Sequence, residues 1–202
     1  MNVLLRTLLV GLSLLSAVSQ LYAGHGMMNA FNDVAPLPAA GVTPDQPHYV
    51  IDRLNERARL ATASPAQQIE LGLLFAAEKL AELDAMVRAG NKTAAREAAD
   101  AYAQYLDCVA GALAKLPAMA SVGAAKHYAQ ALLTQRYLIA LDYLDLPAGA
   151  RPVILAAVES ASKEYERVMT TLPAAYKSAQ FFKEEELRWS WEMARQADIQ
   201  GL

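Results

Sequence analysis

From residue 49 to residue 197 apolar side chains recur at every third or fourth position, and nowhere in that stretch do they alternate one by one. That spacing gathers them on one side of an α-helix, whereas a half-buried strand requires alternation, so the sequence predicts an all-α fold. Prolines and glycines cut the pattern into lengths. Ser64-Pro65 reads as an N-cap followed by proline at the first helical position. Gly90-Asn91 reads as a left-handed stop, Pro117 and Pro173 end helices, and residues 147–152 form a turn.

Between these marks the stripes differ in quality. Residues 49–61 place Val50, Leu54, Ala58 and Ala61 on one face, with Arg53, Glu56, Arg57 and Arg59 elsewhere, which predicts a short amphipathic helix. The next helix aligns Ile69, Leu73, Ala76, Leu80, Leu83 and Val87, and the third, over 93–116, aligns Ala98, Tyr102, Tyr105, Val109, Leu113 and Leu116. Over 121–145 two adjacent stripes, one through Val122, Ala125, Ala129, Leu132, Ile139 and Tyr143 and one through Leu133, Tyr137, Ala140 and Leu144, predict a helix covered by several neighbours. Ile154, Val158, Ala161, Tyr165, Val168 and Leu172 mark a fifth helix, and Phe182, Trp189 and Met193 the inner face of a last one over 178–197. Helices joined by short turns pack antiparallel, so the expected architecture is an up-and-down bundle of about five to six helices over residues 48–202. An alanine-rich chain that is 54% hydrophobic but only 7% aromatic suits helices packed closely.

The beginning of the chain has a different character. Residues 1–23 carry one charge, Arg6, then an apolar run over 7–18 and small residues at two cleavage points, after Ser19 or after Ala23. This is the layout of a secretory signal peptide, so the protein is expected in the periplasm or secreted. Residues 24–47, rich in proline and glycine and without a sustained period, read as a disordered tether. A formal charge of −3 argues against a general nucleic-acid binder. The single cysteine, Cys108, excludes an internal disulfide and every multi-cysteine metal motif.

Residues 49–91, YVIDRLNERARLATASPAQQIELGLLFAAEKLAELDAMVRAGN, resemble a bacterial domain-of-unknown-function family of exported helical proteins. Tyr49, Glu56, Ala77, Glu78, Leu80, Glu82 and Gly90 stand where that family has a tyrosine flanked by proline, a glutamate in a short charged helix, an Ala-Glu-x-x-Leu-x-Glu run and a glycine stop. Residues 146–169 are similar to the way such proteins continue. The resemblance implies a helical fold and an export route, and no reaction.

Several residue sets carry candidate chemistry. Glu78 and Glu82, one turn apart beside Lys79, suit either a divalent cation or an acid–base pair, or else an edge ion-paired with Lys79, Arg53 or Arg57. The di-iron motif Glu-x-x-His is missing from the sequence. His25, His48 and His127 have no partner at helical spacing; Ser160, His127 and Asp142 lack the strand-turn-helix frame of a nucleophile elbow; Cys108 beside Val109 reads as an inert buried thiol. Cleavage after Ala23 exposes Gly24-His25-Gly26-Met27-Met28, whose amine, imidazole and thioethers suit copper, making His25, Met27 and Met28 the metal candidates. Tyr102, Tyr105, Tyr128, Tyr137, Tyr143 and Tyr165 read as core aromatics. Trp189 and Trp191 project about 200° apart, so one of them is expected to face a partner subunit, a cavity or the membrane interface. The expected function is a non-enzymatic binding or interaction module of the periplasm or cell envelope, acting on a protein or small-molecule ligand without a resident cofactor; copper binding is the alternative.

Overall fold

Six helices follow one another through residue 31 and residues 34–200, the part of the chain described by the computed structural model, with no strand among those residues. They are α1 Tyr49–Thr62, α2 Pro65–Arg88, α3 Lys92–Leu113, α4 Ala118–Asp142, α5 Arg151–Thr170 and α6 Ala174–Gln200, with two 3-10 turns, Tyr143–Asp145 and Ala148–Ala150, between α4 and α5. All six belong to the unit spanning residues 33–202. None is long and apolar enough to cross a membrane. The all-α bundle read from the periodicity is therefore the fold, and the punctuation lies where the helices break.

The breaks have local causes. Ser64 starts α2 with a capping box: its hydroxyl accepts from the Gln67 amide, and its own amide donates to Gln67 Oε1 at 3.0 Å. Gly90, with φ of +72°, turns the chain after α2, where a left-handed residue costs glycine nothing. Asn91 then caps α3 by accepting from the Ala94 amide at 3.2 Å. The resulting α2–α3 hairpin is the most extensive helix pair, because small residues let the two backbones approach. A β-carbon on Gly72 would stand 2.6 Å from Val109 Cγ2, so only glycine fits there.

The α2 stripe Ile69, Leu73, Ala76, Leu80, Leu83 and Val87 is buried throughout, as are Ala98, Tyr102, Tyr105 and Val109 of α3. Tyr102 donates to Gln135 Oε1 at 2.9 Å and Tyr128 to the Leu106 carbonyl at 3.0 Å, tying α3 to α4. Helix α4 is indeed covered by several neighbours, since α2, α3, α5 and α6 all touch it. Residues 34–47 carry no helix, and Thr43 within them is buried, its hydroxyl donating to Asp45 Oδ1 at 2.5 Å. The leader over 1–23 lies outside the described residues, as do His25, Met27 and Met28.

Two faces are oriented differently from the sequence reading. Helix α1 turns its apolar stripe outward, with Val50 65% and Leu54 57% exposed, and buries Tyr49, Arg53, Glu56 and Leu60 instead. Helix α6 buries Leu187, Trp191 and Ala194, leaving Phe182 60% exposed and Trp189 on the outside. Both departures have one physical root: a helix is oriented by what its neighbour offers, and hydropathy alone does not see the neighbour.

Candidate functional site

The neighbour that orients α1 is a charged layer on α2. Lys79 is completely buried, and its Nζ stands 2.6 Å from Glu82 Oε1, 2.9 Å from Glu56 Oε1 and 3.6 Å from Asp52 Oδ2. Arg53 donates to Glu56 Oε2 at 3.0 Å and to Gln104 Oε1 of α3 at 3.2 Å. The Tyr105 hydroxyl of α3 donates to the same Glu56 oxygen. Aromatic faces line the layer, with the Lys79 ammonium 5.2 Å from the Tyr49 ring centroid and the Arg53 guanidinium 4.6 Å from that of Tyr105. Glu56 thus receives Lys79, Arg53 and Tyr105 from three helices.

The energetics explain why α1 sits as it does. Leaving a valine or leucine side chain in water forgoes about 1.5–3 kcal/mol. A buried charge without its partner costs about 3–5 kcal/mol. Turning Val50 and Leu54 inward would take Glu56 and Asp52 away from Lys79 and set apolar side chains against the Lys79–Glu82 pair that α2 already buries, so the polar face of α1 wins the contact. The sequence does carry the signal. Tyr49, Arg53, Glu56 and Leu60 are spaced by four, three and four, as are Phe75, Lys79, Glu82 and Met86 of α2, and each set is a second helical stripe beside the apolar one.

Protonation follows from the same burial. Desolvation pushes the Glu82 carboxyl up to about 7, against the opposing pull of its bond to Lys79. Its second oxygen has no hydrogen-bond partner. Burial also works against the Lys79 charge, but the bonds to Glu82 and Glu56 outweigh it and hold the ammonium above its ordinary range. Burial raises the Tyr49 and Tyr105 hydroxyls, so both stay protonated, and Tyr105 remains a donor to Glu56. Glu78 is half-buried, with its carboxyl raised first by desolvation and then by Glu56.

The outward side of α1 completes the site. Val50, Ile51 and Leu54 form an exposed apolar strip, and between α1 and α3 runs a groove of about 330 Å³ bordered by Val50, Leu54 and Arg57 on one wall and Glu97 and Asp100 on the other. The buried ions hold α1 by one face while the other is offered to solvent.

The remaining candidates lie apart from this site. Glu82 pairs with Lys79 and Glu78 does not, so the two glutamates are separated in role. Among the described residues no three His, Cys, Asp or Glu side chains converge to hold a metal ion. Exposed His127 faces Glu70 at 3.5 Å, Asp142 lies 3.8 Å from Arg88, and Ser160 donates to the Ala156 carbonyl, so that trio is dispersed. His48 is exposed at the start of α1. Cys108 is half-buried rather than fully buried. Tyr102, Tyr105, Tyr128, Tyr143 and Tyr165 are core residues and Tyr137 is half-buried. Trp191 is 8% exposed against the Tyr143 ring, while Trp189 is 42% exposed. Sequence reasoning missed Asp52 and Tyr105 as members of the charged layer, and named Arg53 and Lys79 only as edge partners.

The sequence model of a family described as a domain of unknown function (DUF5667) matches residues 41–180. No curated protein and no solved structure matches the chain. The matched stretch holds the whole of α1 to α5, with every residue of the charged layer and of the groove beside it.

Proposed function

This chain belongs to the DUF5667 family of domains of unknown function, and we propose that it is an exported, non-enzymatic interaction module that presents the outer face of α1 to a protein partner of the periplasm or cell envelope. The observation that carries this reading is the inversion of α1, which buries Arg53 and Glu56 and exposes Val50 and Leu54. Exposed apolar residues in a strip, rimmed by charge, mark surfaces that are covered by another molecule. The groove walls carry both signs, Arg57 opposite Glu97 and Asp100, which matches an amphipathic helix with charges on either side of an apolar stripe better than a polyanion. Export rests on the leader over residues 1–23.

A photocrosslinking amino acid at position 54, in protein exported by its own host, tests the proposal. The expected result is one discrete adduct that disappears when Val50→Asp is added and that does not form from position 115, on the exposed turn after α3. Equal adducts from both positions, or an adduct that survives Val50→Asp, would overturn the reading. Mass spectrometry of the same protein reports its first residue, expected to be Gln20 or Gly24; retention of residue 1 would remove the export claim.

A further inference from the structure

Helices α5 and α6 both rest on α4 and meet each other at two side-chain bridges. Tyr165 donates to Glu184 at 2.5 Å near one end, and Arg151 pairs with Asp198 near the other. Between the bridges lies a cleft of about 620 Å³, a size typical of small-molecule sites. Leu155, Val158 and Leu187 give it apolar walls. Trp191 also lines it, and its indole N–H has no hydrogen-bond partner.

Arg136 of α4 sets the chemistry. Its side chain is half-buried at the cleft, its Nε is sealed from water without a hydrogen bond, and no carboxylate stands within ion-pair distance of its guanidinium among the described residues. Its neighbour is the face of the Tyr165 ring, 5.4 Å away. Burial pulls its pKa down from the ordinary arginine value, outweighing the opposing pull of Tyr165, Glu166 and Glu184. Of the other two cations on the lining, Arg188 is taken by Glu185 and Arg195 is exposed to solvent. A partly desolvated guanidinium beside an open cleft with an apolar wall is completed by an anion, and a planar carboxylate matches its fork.

We propose that the α4–α5–α6 cleft binds a small organic monocarboxylate with an apolar body, the carboxylate on Arg136 and the body along Leu155, Val158 and Leu187. Four glutamates on the lining, Glu159, Glu166, Glu184 and Glu192, set the upper limit on ligand charge, because they repel polyphosphates and other multiply charged anions. The site is separate from the outer face of α1, and either proposal stands if the other fails.

Decanoate, decanol and inorganic phosphate, titrated into the protein purified from its exporting host, provide the test, read by tryptophan fluorescence. Decanoate is expected to bind saturably and about tenfold or more tighter than decanol, with no saturable response to phosphate. Arg136→Met is expected to erase that preference and Arg136→Lys to keep part of it. Leu54→Gln is expected to leave decanoate binding unchanged. Equal affinity for the acid and the alcohol in the unsubstituted protein would overturn the proposal even if the Arg136 variants failed to fold. Loss of decanoate binding in Leu54→Gln would do so as well, by moving the ligand to α1.

Discussion

The α1–α3 layer and the α4–α6 cleft both bury positive charge, and they treat it in opposite ways. Lys79 and Arg53 are surrounded by Glu56, Glu82 and the Tyr105 hydroxyl, so that each cation has a carboxylate partner and Glu56 ties the three helices together. Arg136 has an aromatic face and an open cleft, with Glu166 and Glu184 nearby but no carboxylate within ion-pair distance among the described residues. A charge answered within the protein fixes how helices sit; a charge left unanswered beside a cavity leaves room for a ligand. In the first region the sacrifice falls on the outside, where Val50 and Leu54 stay in water so that the ions can meet.

The contrast makes its strongest demand on Lys79. Lys79→Met leaves Glu56 and Glu82 facing each other without a cation between them and is expected to lower the unfolding free energy by about 3–5 kcal/mol in urea titration. Tyr105→Phe removes one buried donor to a charged acceptor and is expected to cost about 1.5–3 kcal/mol in the same assay. Arg136→Met, by contrast, removes a cation with no partner to strand. Its expected change is within about 1 kcal/mol of zero, the scale of the contact with the Tyr165 ring. If Arg136→Met proved as costly as Lys79→Met, the two regions would not differ as described.

The pH dependence gives a finer test of the closed layer. Glu82 titrates near 7 in the fold and near 4.5 when unperturbed, so between those values the folded protein holds a proton that the unfolded chain has released. Stability tied to this group is therefore complete below about pH 4.5 and declines as pH rises toward 7. Glu82→Gln cannot titrate and is expected to flatten the fall of Tm across that window, leaving what Glu78 and Asp142 contribute in the same direction. An unchanged slope would show that Glu82 is not the group responsible.

How far the sequence leads is seen by comparing α2 with α1. The α2 stripe from Ile69 to Val87 lies inside as read, because an uninterrupted row of aliphatic residues outweighs any neighbour. The helix limits were also readable, since Ser64, Gly90 and Pro117 act through backbone chemistry that depends on no distant residue. Helix α1 has two competing stripes, both of helical spacing, and the choice between them is made by Lys79 and Glu82 on the next helix. The same holds for α6, where Leu187, Trp191 and Ala194 face inward although Phe182 and Trp189 are as apolar. Glu56 and Glu82 were visible as family positions, but their pairing through Lys79 depends on the crossing of α1 over α2. Arg136 gave no signal at all, because what distinguishes it is the lack of a partner in three dimensions.

The central claim is that α1 is held by its charged face and offers its apolar one. Equilibrium urea unfolding of Leu54→Gln beside Lys79→Met tests it most directly. The expected result is that Leu54→Gln stays within about 0.5 kcal/mol of the unsubstituted protein, as an exposed substitution should, while Lys79→Met falls by several kcal/mol. The reverse order, with Leu54→Gln the more damaging, would mean that the apolar stripe faces the core and would contradict the account.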